Sequence, residues 1–189
     1  MSSLIDYNII VLPADITADT YTMLAETLIL RQQQEITLLC AGDGGDSDIA
    51  VRIIDLIRAH GGVTGILPGG AYSSHAAIFA ACANRYVYPN ARLGVHTVAL
   101  AGSPARADAK YIRQLANDMD ATDAVFAETM ANACSTSPWS DERHWEQIFQ
   151  QAGSGSFRLF GSEHLVSMMG MAKPIAELPR LTQKAVADE

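Results

Sequence analysis

The chain has 189 residues, of which 49% are hydrophobic, and a formal net charge of −8. This length and apolar content are typical of one α/β domain with a single core, so we expect one domain spanning residues 1–189. The acidic balance disfavours nucleic acid and anionic membrane as partners, because both are bound through clustered Lys and Arg.

Two features of the sequence predict a cytoplasmic protein. The only early apolar run, residues 9–12, is too short for a signal peptide or a membrane span and follows no basic residue. The cysteines are odd in number and far apart, which favours reduced core side chains over disulfides or metal ligands; they are Cys40, Cys82 and Cys134. We therefore expect no metal and no cofactor.

The first 40 residues predict a β-α-β unit. Runs of aliphatic and β-branched residues at 7–12 and 35–40 are typical of strands, and Thr17 can cap a helix that continues to about Gln33. A glycine pair, Gly44-Gly45, then precedes a second helix that Gly61 ends.

The middle of the chain continues this alternation. A third strand over 63–67 leads into Pro68-Gly69-Gly70, and an alanine-rich helix is expected from Ser73 to about residue 83. Two short strands, 86–88 and 92–96, follow. Strand-helix alternation with short loops predicts an α/β fold with largely parallel pairing and right-handed crossovers.

The last third predicts one long helix and a smaller one. The long helix, at about 104–133, carries an apolar stripe longer than one domain face requires, so we expect part of it to pack on another subunit; the stripe is Tyr111, Leu115, Met119, Phe126 and Met130. Ser140 is the expected cap of the next helix, with Trp139 and Trp145 as apolar anchors. Residues 181–189 are polar enough to fray.

Ser73 and His96 form the candidate catalytic pair. Ser73 opens a helix after a glycine pair, where the helix dipole favours developing negative charge. About ten helical residues descend ~15 Å and five strand residues climb back ~16 Å, so the two side chains could meet at one end of the sheet. The alternative, non-catalytic roles are a helix-capping serine for Ser73 and a hydrogen-bonded strand-end histidine for His96.

The candidate oxyanion hole consists of the backbone N–H groups of Gly45 and Ser74. A glycine at a strand-to-helix turn tolerates positive φ and leaves its N–H unobstructed, and the residue after a nucleophile commonly supplies the second donor. The alternative is that Gly44-Gly45 simply forms a turn.

Three segments together resemble the ClpP family, and they align without gaps from Asp43 to His96. They are Gly44-Gly45, the run Gly69-Gly70-Ala71-Tyr72-Ser73, and Pro89-Asn90-Ala91-Arg92-Leu93-Gly94-Val95-His96. The resemblance implies a ClpP/crotonase-like fold of repeated β-β-α units with a long handle helix. It also implies Ser73 as nucleophile and His96 as general base.

Similarity to this family further implies how the chain would act. Subunits form heptameric rings, which double into a tetradecameric chamber that cleaves polypeptide unfolded by a separate AAA+ ATPase ring. Thr37 and Leu39 stand where the family commonly has docking aromatics, so we do not expect this subunit to dock the ATPase alone.

One element of the family pattern is missing. The third catalytic residue is an aspartate before an R-[FY]-[LM]-S segment, yet residues 150–162 contain no carboxylate. Depending on the alignment register, Arg158 or Gly155 takes the aspartate's position. His75 replaces a small residue after the nucleophile, and we interpret it as a polar or interface residue pointing away from Ser73.

Three functions therefore stay open. The first is a weakened serine endopeptidase that uses a Ser73-His96 dyad, and the second is a non-catalytic ring member of the ClpR kind. The third is a crotonase-fold acyl-CoA enzyme, which would use amides such as those of Gly44-Gly45 to polarise a thioester.

Overall fold

The computed structural model describes residues 8–100 and 108–179. Ten strands and five α-helices alternate along this part of the chain. The strands are β1 Ile9–Val11, β2 Asp15–Ile16, β3 Ile36–Leu39, β4 Gly44–Gly45, β5 Val63–Leu67, β6 Gly70–Tyr72, β7 Asn84–Val87, β8 Arg92–Val95, β9 Arg158–Gly161 and β10 Lys173–Pro174. The helices are α1 Ala18–Leu30, α2 Ser47–His60, α3 Ser74–Ala81, α4 Ala109–Ala133 and α5 Glu142–Ala152.

The main sheet has the strand order β1-β3-β5-β7-β10, and all its pairs are parallel. Helices α1, α2 and α3 connect its strands, as parallel pairing requires. A two-stranded sheet joins β2 to β4, and a three-stranded sheet has the order β6-β8-β9, with β9 antiparallel. The predicted α/β class with mainly parallel pairing is confirmed.

Local sequence signals set several helix ends where we expected them. Thr17 caps α1 through a reciprocal pair of bonds with Thr20, and Gly61 ends α2 in a left-handed conformation. The first helix ends at Leu30, with Arg31 as its C-cap, and is therefore shorter than the predicted helix that continued to about Gln33. The cap of α5 is Asp141 rather than the predicted Ser140; its carboxylate accepts from the Arg143 N–H.

The core lies between the main sheet and the helices. Its largest buried side chains include Trp145, Phe79 and several aliphatic residues of α1, α2 and β3. Trp139 and Trp145 pack together with Phe160, as their predicted anchoring role requires. All three cysteines are unpaired and buried, in agreement with the expectation of reduced core side chains.

Helix α4 has two unlike halves. Its C-terminal half packs into the body through Phe126 and Met130, whereas its N-terminal half exposes Tyr111 and Ile112. The helix begins after Asp108, and the predicted start at residue 104 lies outside the described residues. So does the tail 181–189. In the part of the chain that the structure describes, no helix is both long enough and apolar enough to span a bilayer.

Candidate active site

Ser73 occupies the sharp junction between β6 and α3. Its φ of 53° and ψ of −123° lie in a region that is usual for glycine and costly for other residues. The Ser73 N–H donates to the Gly94 carbonyl at 2.9 Å, which ties the junction to β8. The hydroxyl makes no capping bond to the helix, so the alternative of a helix-capping serine does not describe this residue.

His96 directly follows β8, beside the same junction. The parallel register pairs Tyr72 with Gly94, so Ser73 and His96 emerge at the same edge of the three-stranded sheet. Both line one recess, whose other walls are apolar side chains of α3, α4, α5 and β8: Ala77, Val95, Phe126, Met130 and Phe149. The recess encloses no volume that a water molecule could occupy.

The surroundings of His96 favour its neutral form. Burial lowers the pKa of the imidazole below its ordinary value, while the Thr97 backbone opposes that shift. Nδ1 is buried and has no hydrogen bond of good geometry within the described residues. A neutral imidazole can accept a proton from a neighbouring hydroxyl, so these electrostatics suit a general base.

The glycine pair lies against the start of α3. A side chain on Gly44 would come within 2.7 Å of the Ser73 Cβ and 3.2 Å of its Oγ, so only glycine leaves room there. The Gly45 carbonyl accepts a bond from the Ser74 hydroxyl at 3.2 Å. Gly44 and Gly45 both adopt positive φ, which favours glycine.

Ser74 and His75 begin α3 with different surroundings. Ser74 is the first residue of the helix, so its N–H has no intrahelical partner. His75 is fully buried, and its Nε2 lies 2.9 Å from the Pro13 carbonyl and 3.2 Å from that of Ala14. The interpretation of His75 as an interface residue is therefore wrong, because it holds the loop before β2 from inside the core.

The ring of Phe157 packs against His96, in the place where the aspartate of a triad was expected. The β8-β9 register pairs Val95 with Arg158, and continuing it by one residue brings Phe157 opposite His96. The two rings meet edge to face, with centroids 4.7 Å apart. Neither Arg158 nor Gly155, the two positions that the sequence alignments suggested, is this neighbour.

The part of the chain that the structure describes offers no metal site. Within residues 8–100 and 108–179, no three His, Cys, Asp or Glu side chains come together in a group that could hold an ion.

Sequence reasoning missed three neighbours of the candidate pair. Gly44, rather than Gly45, faces the Ser73 side chain. Phe157 packs on His96, and Tyr72 packs on Phe157. The sequence signal for the first was the glycine pair itself, since two adjacent glycines indicate a close approach of the backbone to a neighbour. The position of Phe157 depends on a strand register that the sequence left open.

A comparison with protein-family models matches residues 1–147 to the family described as Clp protease. A search of curated proteins finds no match. The family match covers Ser73, His96 and the glycine pair, and it ends before Phe157 and β9.

Proposed function

This chain belongs to the Clp protease family, and from that premise we propose that it is a serine peptidase subunit that works with a Ser73-His96 dyad. The observation that carries the proposal is the conformation of Ser73. A non-glycine residue in this region costs on the order of 1–3 kcal/mol, and such strain concentrates at functional sites. A hydroxyl that caps nothing at a strained strand-to-helix junction is the arrangement expected of a nucleophile.

The proposed chemistry uses the groups around the recess. Ser73 Oγ attacks the scissile carbonyl carbon while His96 takes its proton, and the N–H groups of Gly45 and Ser74 stabilise the oxyanion. His96 then protonates the departing amine as the C–N bond breaks. Water hydrolyses the acyl-enzyme in a second round, with His96 again as the base.

The apolar walls of the recess suggest what would occupy it. Phe126, Met130 and Phe149 offer no charged group to a substrate side chain, so an apolar residue beside the scissile bond fits best. The recess is too narrow in this state to hold a side chain, so a substrate residue would enter it only if these side chains moved apart.

We further propose that the chain folds as one domain and acts within rings of Clp subunits, as a heptamer or a doubled ring, in the cytoplasm. Family membership supports assembly with Clp subunits in general. The exposed half of α4 supports contact with another ring. An AAA+ unfoldase would supply extended polypeptide, and the chain itself would need no cofactor.

A second candidate function is a non-catalytic subunit of a mixed ring. The observation in its favour is Phe157, which lies against His96 where a carboxylate would complete a triad. Loss of that acid can cost about 10⁴ in turnover. The family match favours both of these functions over an acyl-CoA enzyme.

Labelling with a fluorophosphonate probe distinguishes the two candidates. A competent Ser73 forms an Oγ–P bond as fluoride leaves and His96 takes the proton, and peptide mapping locates the adduct. We expect labelling that Ser73→Ala abolishes and that Ser154→Ala, a change at an exposed serine, leaves intact. If no adduct forms, alone or in rings with partner subunits that cleave peptide, this chain is a structural subunit.

A further inference from the structure

Phe157 has a position that the sheet register determines. It directly precedes β9, whose antiparallel pairing with β8 includes Val95 with Arg158 and Gly94 with Leu159. The next pair in that series is His96 with Phe157. The ring contact, with an interplanar angle of 78°, therefore follows from strand pairing and not from a chance rotamer of a free loop.

Tyr72 also packs against Phe157. The two rings lie 5.3 Å apart and are tilted by 56°. Tyr72 itself lies over Gly94, where a Cβ would come within 2.5 Å of the Tyr72 ring. Successive contacts thus lead from Gly94 through Tyr72 and Phe157 to His96.

Among the described residues, no side chain gives the imidazole the hydrogen bond that normally fixes a catalytic histidine. Its Nδ1 is buried and has no partner of good geometry within the described residues. In a triad, the acid holds this atom and stabilises the imidazolium. Edge-to-face aromatic pairs are favourable beyond the area that they bury, so such a contact restrains the orientation of a ring.

We propose that Phe157 is the positioning residue of His96, and that its ring sets the orientation of the imidazole by packing in place of a carboxylate. The inference rests on the proposed role of His96 as the base. Packing fixes the ring plane but supplies no charge to stabilise the imidazolium. The dyad is then oriented but slow, and an acid at position 157 should accelerate it.

Four variants separate these effects. Phe157→Tyr keeps the aromatic ring, Phe157→Leu removes it at similar bulk, and Phe157→Asp replaces it with a carboxylate. Leu159→Ala is the matched control, because Leu159 is an exposed apolar residue two positions along on the same face of the strand. Phe157 is itself 44% exposed, so we expect all four to fold.

Two measurements are made on each variant, with circular dichroism to verify folding. The first is the rate of fluorophosphonate labelling at Ser73 as a function of pH. The second is the NMR titration and tautomer of His96 in ¹⁵N-histidine-labelled protein, assigned with His96→Gln. The NMR signal reports the imidazole whether or not Ser73 reacts.

We expect Phe157→Leu to slow labelling by about 10–100-fold, as a displaced catalytic group does, and to change the His96 tautomer ratio. Phe157→Tyr and Leu159→Ala should both match the original chain. Phe157→Asp should raise the labelling rate about tenfold or more and shift the inflection to higher pH, because a carboxylate favours the imidazolium.

The outcomes are distinct for the two proposals. If Ser73 is labelled but neither the rate nor the His96 titration responds to Phe157→Leu and Phe157→Asp, the positioning role is wrong and the dyad stands. If no variant is labelled while Phe157→Leu alters the His96 tautomer and titration, Phe157 positions the ring and the peptidase proposal fails.

Discussion

The backbone at Ser73 gives the candidate nucleophile a measurable cost in stability. With φ of 53° and ψ of −123°, the residue sits where glycine is relaxed and alanine is strained. We expect Ser73→Gly to exceed Ser73→Ala in free energy of unfolding by about 1 kcal/mol, although neither variant can react. Urea denaturation measures the difference.

The neighbouring serine, Ser74, provides a control in which the stability difference between the Gly and Ala variants should have the opposite sign. Ser74 is helical, so Ser74→Gly should be less stable than Ser74→Ala by about 1 kcal/mol. Equal stability of Ser73→Gly and Ser73→Ala would mean that the junction carries no strain, and the main support for a functional Ser73 would be lost.

At the residue scale, chain order made the candidate pair predictable, whereas its neighbours were not. Ser73 and His96 follow two strands that point the same way, so both must leave the sheet at one edge. Phe157 follows the glycine- and serine-rich run 153–156, whose length does not fix the register of the next strand. His75 was misinterpreted because α3 is short and buried on all sides, so a polar residue in it does not mark an exposed face.

Helix α4 and the segment after β8 are joined by one buried carboxylate. Asp123 accepts from the Val98 N–H at 2.8 Å. Burial raises the pKa of Asp123, the Val98 N–H opposes that shift, and nearby Asp120 adds to it. The link holds α4 next to the two residues that follow His96. Because the pKa of Asp123 is raised, folding favours the protonated carboxyl more than the unfolded chain does.

The pH dependence of stability tests this link between elements. Because the folded pKa is above the unfolded one, the contribution of Asp123 is greatest below about pH 4 and is lost as pH rises through the folded pKa. Asp123→Asn keeps an oxygen acceptor without the charge. We expect its stability, relative to the original chain, to increase as pH rises from about 4 to 7.

Two comparisons define the result. Asp123→Ala removes the acceptor and should cost about 1–3 kcal/mol at every pH, in contrast to Asp123→Asn. A difference between Asp123→Asn and the original chain that stays constant with pH would contradict the account of this carboxylate.

At the element scale, the sequence was most informative where periodicity and caps coincide. The strand at 63–67 and the cap Thr17 are confirmed. By contrast, β2, β4 and β6 have two or three residues, and β4 consists of glycine alone. Such short strands form because they pair with neighbouring strands in the folded structure, and local propensity does not predict them.

At the scale of the whole molecule, the exposed N-terminal half of α4 is the feature that bears on assembly. Tyr111 and Ile112 are 42% and 40% exposed, on a stretch that contributes little to the described core. Large apolar side chains exposed together mark interaction surfaces. We expect the double variant Tyr111→Asp with Ile112→Asp to reduce assembly, since two charges would be buried at the contact.

Sedimentation velocity measures this effect. The original chain, alone or with partner subunits, should sediment as a doubled ring and the variant as single rings. Asn117→Asp, on the opposite side of the helix, should leave the assembly unchanged. Equal sedimentation of all three would show that α4 does not join rings through this surface.

The most direct test of the central claim is the pH dependence of Ser73 labelling by a fluorophosphonate, compared between the original chain and His96→Gln. If His96 is the base, the labelling rate should rise with pH through one inflection below about 6.5, because burial lowers the pKa of the imidazole. His96→Gln should lose both the inflection and most of the rate. An unchanged profile in His96→Gln would contradict the Ser73-His96 dyad.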